Sequence, residues 1–207
     1  TPKSVTFIIA IEGSQKLLYR QVMFRFAFYL LILQCVFCVF SRPSVSEDYQ
    51  LPQGTDVKFR YFVAGLPFEG KFKVVESSFD INFRNPSKSV FSVKFDLMQS
   101  NAGFPIATKA MKQVLDAYTF PNVNFESNSV ELKEKDFKVR GFLKIRDISK
   151  PVNLLVTVLE DYSSASEKIQ FSIRAKFDRR RFGADAYYPL VNEAIILEDL
   201  LTLDKDE

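Results

Sequence analysis

The chain has 207 residues, 47% of them apolar, enough to bury one sizeable core. It carries 22 Phe and 8 Tyr but no Trp and no His, so it lacks the side chain best suited to general-base work and the commonest metal ligand, which argues against most hydrolase and metalloenzyme readings. The +3 formal charge comes from residues 1–41, where Lys3, Lys16, Arg20 and Arg25 face Glu12; the remainder is neutral, a poor match to nucleic acid, which binds cationic surface.

Residues 1–22 carry no interpretable pattern and stay unassigned. Met23 opens a clearer one: Arg25, then Phe26 to Phe40 with only Gln34 polar, then Ser41-Arg42-Pro43-Ser44-Val45-Ser46. A basic residue, an apolar run and small residues after it fit a secretory signal peptide over 23–46. Cleavage is expected after Ser46, with Ser41 as the second option, leaving a periplasmic or secreted protein that begins near Glu47. The apolar run is short for a membrane span, which needs roughly 20 residues, so no permanent span is expected. Cys35 and Cys38 are the only cysteines. A redox role would need a folded, partly exposed setting, and a lipoprotein anchor on Cys35 would put bulky Gln34 where a small residue belongs.

From Thr55 onwards a period of two takes over, the signature of strands with one dry and one wet face. Val57, Phe59, Tyr61 and Val63 alternate with Lys58 and Arg60. Gly65-Leu66-Pro67 reads as a turn, and Gly70-Lys71-Phe72-Lys73-Val74 begins the next strand. Phe79, Ile81 and Phe83 follow, up to a turn at Asn85-Pro86-Ser87. Phe91, Val93, Phe95 and Leu97 then alternate with Ser92, Lys94 and Asp96. From Pro105 to Ala117 the spacing of Ile106, Ala110 and Val114 predicts one short amphipathic helix, with Pro where a first turn accepts it. Strands resume at Val123 and Phe125, then at Val130 and Leu132.

The strongest signal is the hairpin from Phe137 to Val158. Phe137, Val139, Gly141, Leu143 and Ile145 share one face, then Val152, Leu154, Val156 and Val158, with Arg146 to Pro151 expected to turn between them. Ile169, Phe171, Ile173, Ala175 and Phe177 make another strand, Ala194 to Leu197 the last, and the tail from Asp204 is expected to fray. Short spacings and Gly, Pro and Asn turns indicate one all-β domain over 47–207, an antiparallel barrel of about eight strands. Such a barrel has room for packed side chains or for one small ligand. Periodicity does not separate these alternatives; the load of rigid Phe on long strands favours a slot for an alkyl or isoprenoid chain.

Several stretches resemble one family. Ile148-Ser149-Lys150-Pro151-Val152 is similar to the I-x-K/R-P-V turn of the YceI-like polyisoprenoid-binding proteins. Phe120-Pro121 with Phe125 and Ser127 resembles that family's Y/F-P-x-x-x-F-x-S element. Asp178-Arg179 with Phe182-Gly183 is similar to its N/D-R-x-x-F-G element, and Gly65 with Gly70 and Phe72 matches its first hairpin. The resemblance spans roughly 56–201 and implies an extended lipocalin-like barrel holding a long isoprenoid lipid such as a polyprenol or quinone. Two departures stand out. The His common near the first strand is absent at Gly54-Thr55 and Ala64-Gly65, and the glycine usual before the I-x-K-P turn is Asp147.

The expected lumen lining is Phe59, Tyr61, Phe72, Phe79, Ile81, Phe83, Phe91, Phe95, Met111, Phe125, Leu143, Val156, Phe171, Ile173 and Phe177. The run Arg179, Arg180 and Arg181 reads either as a solvated strand end or as the grip on a phosphate or quinone headgroup. The helix could be a lid or a plug, and Tyr187-Tyr188-Pro189 could line the rim. No catalytic residue, metal or cofactor is expected beyond the lipid ligand itself, and pairing into a homodimer is left open. An enzyme on an apolar substrate would need polar groups converging inside, and the inward faces hold almost no Asp or Glu. A structural barrel with a filled core is the other alternative.

Overall fold

The computed structural model describes residues 46–134, 136–159 and 165–206. Residues 1–22, the cysteine pair and the expected signal segment up to Val45 lie outside them. The described elements are β1 (Glu47–Gln50), β2 (Asp56–Val63), β3 (Leu66–Ile81), β4 (Val90–Asn101), α1 (Pro105–Val114), β5 (Asn122–Lys133), β6 (Asp136–Ile145), β7 (Ile148–Val158), β8 (Lys168–Asp178) and β9 (Ala194–Lys205).

Every sequential pair from β2 to β9 is antiparallel, and pairing of β2 with β9 closes the ring. Closure leaves no free sheet edge, which is how such an apolar set of strands avoids pairing with other chains. The barrel has eight staves although nine strands are described. β1 continues the line of β2: it pairs Glu47 to Tyr49 with the far end of β3 and Tyr49-Gln50 with the far end of β9. The tail is correspondingly ordered. Asp204 and Lys205 sit inside β9, and Lys205 Nζ lies 2.8 Å from Glu47, so the expected fraying does not occur up to Lys205.

Three further expectations are corrected by backbone geometry. The first hairpin turns on Ala64-Gly65, both left-handed (φ 49° and 82°), and Leu66 already pairs with Val63; a two-residue loop with positive φ matches the twist of its strands. The second hairpin turns on Arg146-Asp147 alone, with Arg146 at φ 59°, and Ser149 to Pro151 belong to β7. The helix stops at Val114 rather than Ala117. Asp116 adopts φ 49°, its N–H donates to Gln113 O and that of Ala117 to Lys112 O, a Schellman cap that leaves the last carbonyls satisfied.

One apparent break in the pattern is a bulge. Val123 and Phe125 point inward at odd positions and Val130 at an even one, because β5 slips register between Ser127 and Ser129. One extra residue switches which parity faces the core. Ser127 Oγ accepts the Phe91 N–H at 2.8 Å beside that slip.

Gly70 and Gly141 both face inward, and each is covered by an aromatic ring. A Cβ on Gly70 would come within 2.3 Å of the Phe59 ring; one on Gly141 would meet the Phe125 ring at 2.6 Å and the Glu126 carbonyl at 2.4 Å. The glycines let those rings lie flat against the wall instead of filling the centre. Gly141→Ala is expected to cost about 1–3 kcal/mol by overpacking, because backbone cannot yield as a side chain can; a melting curve reads it.

Candidate functional site: a hydrocarbon tunnel open at one end

Alternating strand direction gathers residues 64–65, 102–121, 146–147 and 179–193 at one end of the barrel. The β3–β4 connection, Ser46 and the described ends of the β7–β8 connection, Leu159 and residues 165–167, fall at the other. The interior between the ends is hollow. In the lower half the space open to the centre of a water-sized sphere is about 110 Å³, and in the upper half, under α1, about 280 Å³. A single water needs only about 10–15 Å³ on this measure, so the core is not close-packed.

The two chambers share Phe95, Leu143, Phe177 and Leu197, which form a waist between them. Of the expected lining, Phe79, Ile81, Phe91, Phe125, Val156, Phe171 and Ile173 line the lower chamber. Phe59, Tyr61, Phe72 and Met111 line the upper one, and Phe95, Leu143 and Phe177 stand at the waist. Phe83 is the exception. It lies past the end of β3 and meets Tyr49 edge-on at 6.3 Å. With Tyr49, whose hydroxyl donates to Ser166 O at 2.7 Å, it belongs to the bottom closure rather than the wall.

The lower lining is entirely Ala, Val, Leu, Ile and Phe, none of it exposed. Toward the upper end ring contacts run in series: Phe95 to Phe72 (5.8 Å), Phe72 stacked on Phe59 (4.2 Å), then Tyr61, Phe68 and Phe104. The Tyr61 hydroxyl is satisfied by donation to Ala102 O at 2.9 Å, and burial raises its pKa. Thus the wall presents hydrocarbon from bottom to top. Ala107, Ala110, Met111 and Val114 of α1 roof the upper chamber. Phe104, Ile106 and Tyr187 line it and are also 42%, 80% and 53% exposed, which marks this end as the opening.

The arginine run divides into three roles. Arg179 is buried and part of the upper lining, and its fork is spent on the loop 184–192: Nε donates to Asn192 O (3.0 Å), Nη2 to Val191 O (2.7 Å) and Nη1 to Ala184 O. Desolvation lowers its pKa from the ordinary arginine value. Arg180 grips Asp178 with Nε and Nη2 (3.1 and 2.9 Å) and lies over the Tyr188 ring. The hydrogen bonds from Arg180 hold the Asp178 carboxyl below its usual pKa. Arg181 is exposed. Phe182, fully buried, packs edge-on to Phe177. It sits where β7 and β8, paired only between Leu154/Ala175 and Val158/Phe171, part company.

Sequence reasoning missed the lining supplied by Ala184, Ala186 and Val191. They sit on an irregular loop with no period to betray an inward face; the Arg179 carbonyl contacts and backbone bonds to the β2 end (Ala64 N–H to Leu190 O, Asn192 N–H to Phe62 O) fold that loop over the mouth.

An all-antiparallel closed barrel with a hydrocarbon lumen that opens beside the helix has the architecture of a lipocalin-like carrier of apolar ligands. A family model of the YceI-like domain matches residues 49–203, and the chain belongs to the YceI-like family, whose barrels bind hydrophobic ligands. The fold is similar to the crystal structure of BcnA from Burkholderia cenocepacia: TM-score 0.64 at 18% identity, covering 71% of this chain and 94% of that one. A YceI protein from Campylobacter jejuni is also similar, with TM-score 0.59 at 20% identity over 67% and 85%. No curated protein matches the chain in sequence. The stretches that carried the resemblance do structural work here: Gly70 seats a ring, Ser127 secures a bulge, and Arg179 and Phe182 fasten the mouth.

Proposed function

We propose that this barrel holds one long apolar lipid of isoprenoid type, such as a polyprenol or isoprenoid quinone, as a carrier or store in the periplasm or outside the cell. The observation that carries this reading is the pair of hydrocarbon chambers joined end to end, with lining residues exposed at the α1 end. A narrow hydrocarbon tunnel suits a linear chain threaded tail first from the mouth. A polar headgroup has no partner below the waist and stays at the mouth, where Arg181, exposed and without an ion-pair partner among the described residues, is free to meet an anionic one. The export expected from residues 23–46 supplies the compartment.

This reading involves no chemistry on the ligand. Catalysis needs an acid, base or nucleophile facing the substrate, and the lower wall offers hydrocarbon alone. Among the described residues no helix is long and apolar enough to cross a membrane.

Native mass spectrometry of the purified protein, followed by solvent extraction, tests the reading. The expected result is a bound mass, lost on extraction and recovered as a long-chain isoprenoid. A protein that is empty as purified and stays empty after incubation with detergent-solubilised polyprenol and quinone would overturn it.

A further inference from the structure

We propose that the α1 end of the barrel docks on the surface of an anionic lipid bilayer and exchanges its ligand there. This rests on the carrier reading above.

Exposed apolar side chains gather on the connections at that end. Leu66 (63% exposed) follows the β2–β3 turn, Phe104 and Ile106 open α1, and Tyr188 and Leu190 (57%) lie on the β8–β9 loop. The pieces are tied together: the Ala64 N–H donates to Leu190 O at 2.8 Å, and Phe68 beside Leu66 meets the Phe104 ring at 5.7 Å. The β3–β4 connection at the opposite end presents Arg84, Asn85, Ser87 and Lys88 instead.

Two features select a bilayer as the occupant. The rim is continuous with the lumen, since Phe104, Ile106 and Tyr187 belong to both, so hydrocarbon runs unbroken from the tunnel floor to the outside of the mouth. Pressed into the acyl boundary, that rim lets a chain slide out without crossing water, where each exposed methylene would slow transfer roughly fourfold. Charge agrees. Lys109 on α1 and Arg181 are exposed and, among the described residues, have no ion-pair partner; they flank the rim as cations flank the apolar face of interfacial segments. Asp116, Asp147, Asp185 and Glu193 at the same end offset part of the charge of Lys109, Lys112, Arg146 and Arg179 to Arg181, leaving a cationic excess. Tyr187 and Tyr188 present the amphipathic rings that favour the headgroup level.

The test uses residues outside the tunnel lining. Flotation with vesicles of phosphatidylcholine, with and without phosphatidylglycerol, compares the wild type with L66D/L190D and L200D. Leu200 is equally exposed (69%) but lies on the outer wall of β9, away from the mouth. The double variant is expected to lose vesicle binding by at least about tenfold. L200D floats like wild type, and phosphatidylglycerol strengthens wild-type binding. Mass spectrometry of polyprenol delivered in detergent gives the independent control, because lumen loading stays equal in all three proteins. Wild type that loads polyprenol but does not float, or a double variant that floats as wild type does, would overturn docking and leave the carrier reading standing. Failure to load polyprenol strikes the carrier reading instead.

Discussion

Ala175→Phe is expected to expel long-chain ligand from a barrel that stays folded. Ala175 lies on β8 between Leu154 of β7 and Leu197 of β9, lines the lower chamber, and sits two residues from Phe177 at the waist. A phenyl ring there projects into open space, so the cost of about 1–3 kcal/mol that follows an insertion into a packed core is largely avoided. Ligand affinity bears the loss. Each methylene barred from the tunnel forfeits about 0.8 kcal/mol, so excluding five costs about 4 kcal/mol, roughly a thousandfold. Short chains that end in the upper chamber keep their affinity, and this difference separates a blocked tunnel from a damaged protein. Thermal melting and lipid content are measured together. A variant that still carries full-length chains would refute the tunnel. A variant that melts early, from a parent that never held lipid, would return the barrel to a filled structural core.

Arg179→Ala is expected to be the most destabilising single change at the mouth. The side chain is 7% exposed and donates to three carbonyls of the loop 184–192. Removing it takes the donor from one buried carbonyl, Ala184 O, and two partly buried ones, where each charge-assisted bond contributes about 1.5–3 kcal/mol. With partial relaxation the net loss is about 3–5 kcal/mol, enough to lower Tm by roughly 6–20 °C in a domain of this size. Arg179→Lys rescues only partly, because one ammonium cannot reproduce a planar fork aimed at three oxygens. Hydrogen exchange localises the damage: the loop 184–193 loses protection first, while β6 and β7, which accept none of its three hydrogen bonds, keep theirs. Uniform loss of protection would show that Arg179 supports the whole barrel rather than its mouth.

Much of the fold was legible in the sequence because a closed antiparallel barrel repeats one local rule. With side chains alternating across the sheet, Phe171, Ile173, Ala175 and Phe177 had to share a face whatever their partners were. The same rule named the wall of the tunnel before any pairing was known. It overreached at Phe83, where the period continued for one more residue after the strand had ended, and it could not see β1, whose Tyr49 is buried by partners more than 25 residues away.

Turn positions were legible only approximately. Asp, Ser and Pro near residue 150 announced a turn, but the loop closed on Arg146-Asp147 because the Ile145–Ile148 pair kept the two inward faces in register.

What the sequence determined by itself, then, is the all-β class and which residues face inward, since both follow from a period of two along single strands. Only the tertiary structure decided that the interior is hollow, that it narrows at Phe95, Leu143, Phe177 and Leu197, and that it opens beneath α1. Those properties depend on how far apart facing walls stand and on how glycines at 70 and 141 let rings lie flat. They also depend on where Arg179 pins an irregular loop. Each is a distance between residues remote in the chain, and periodicity carries no information about such distances.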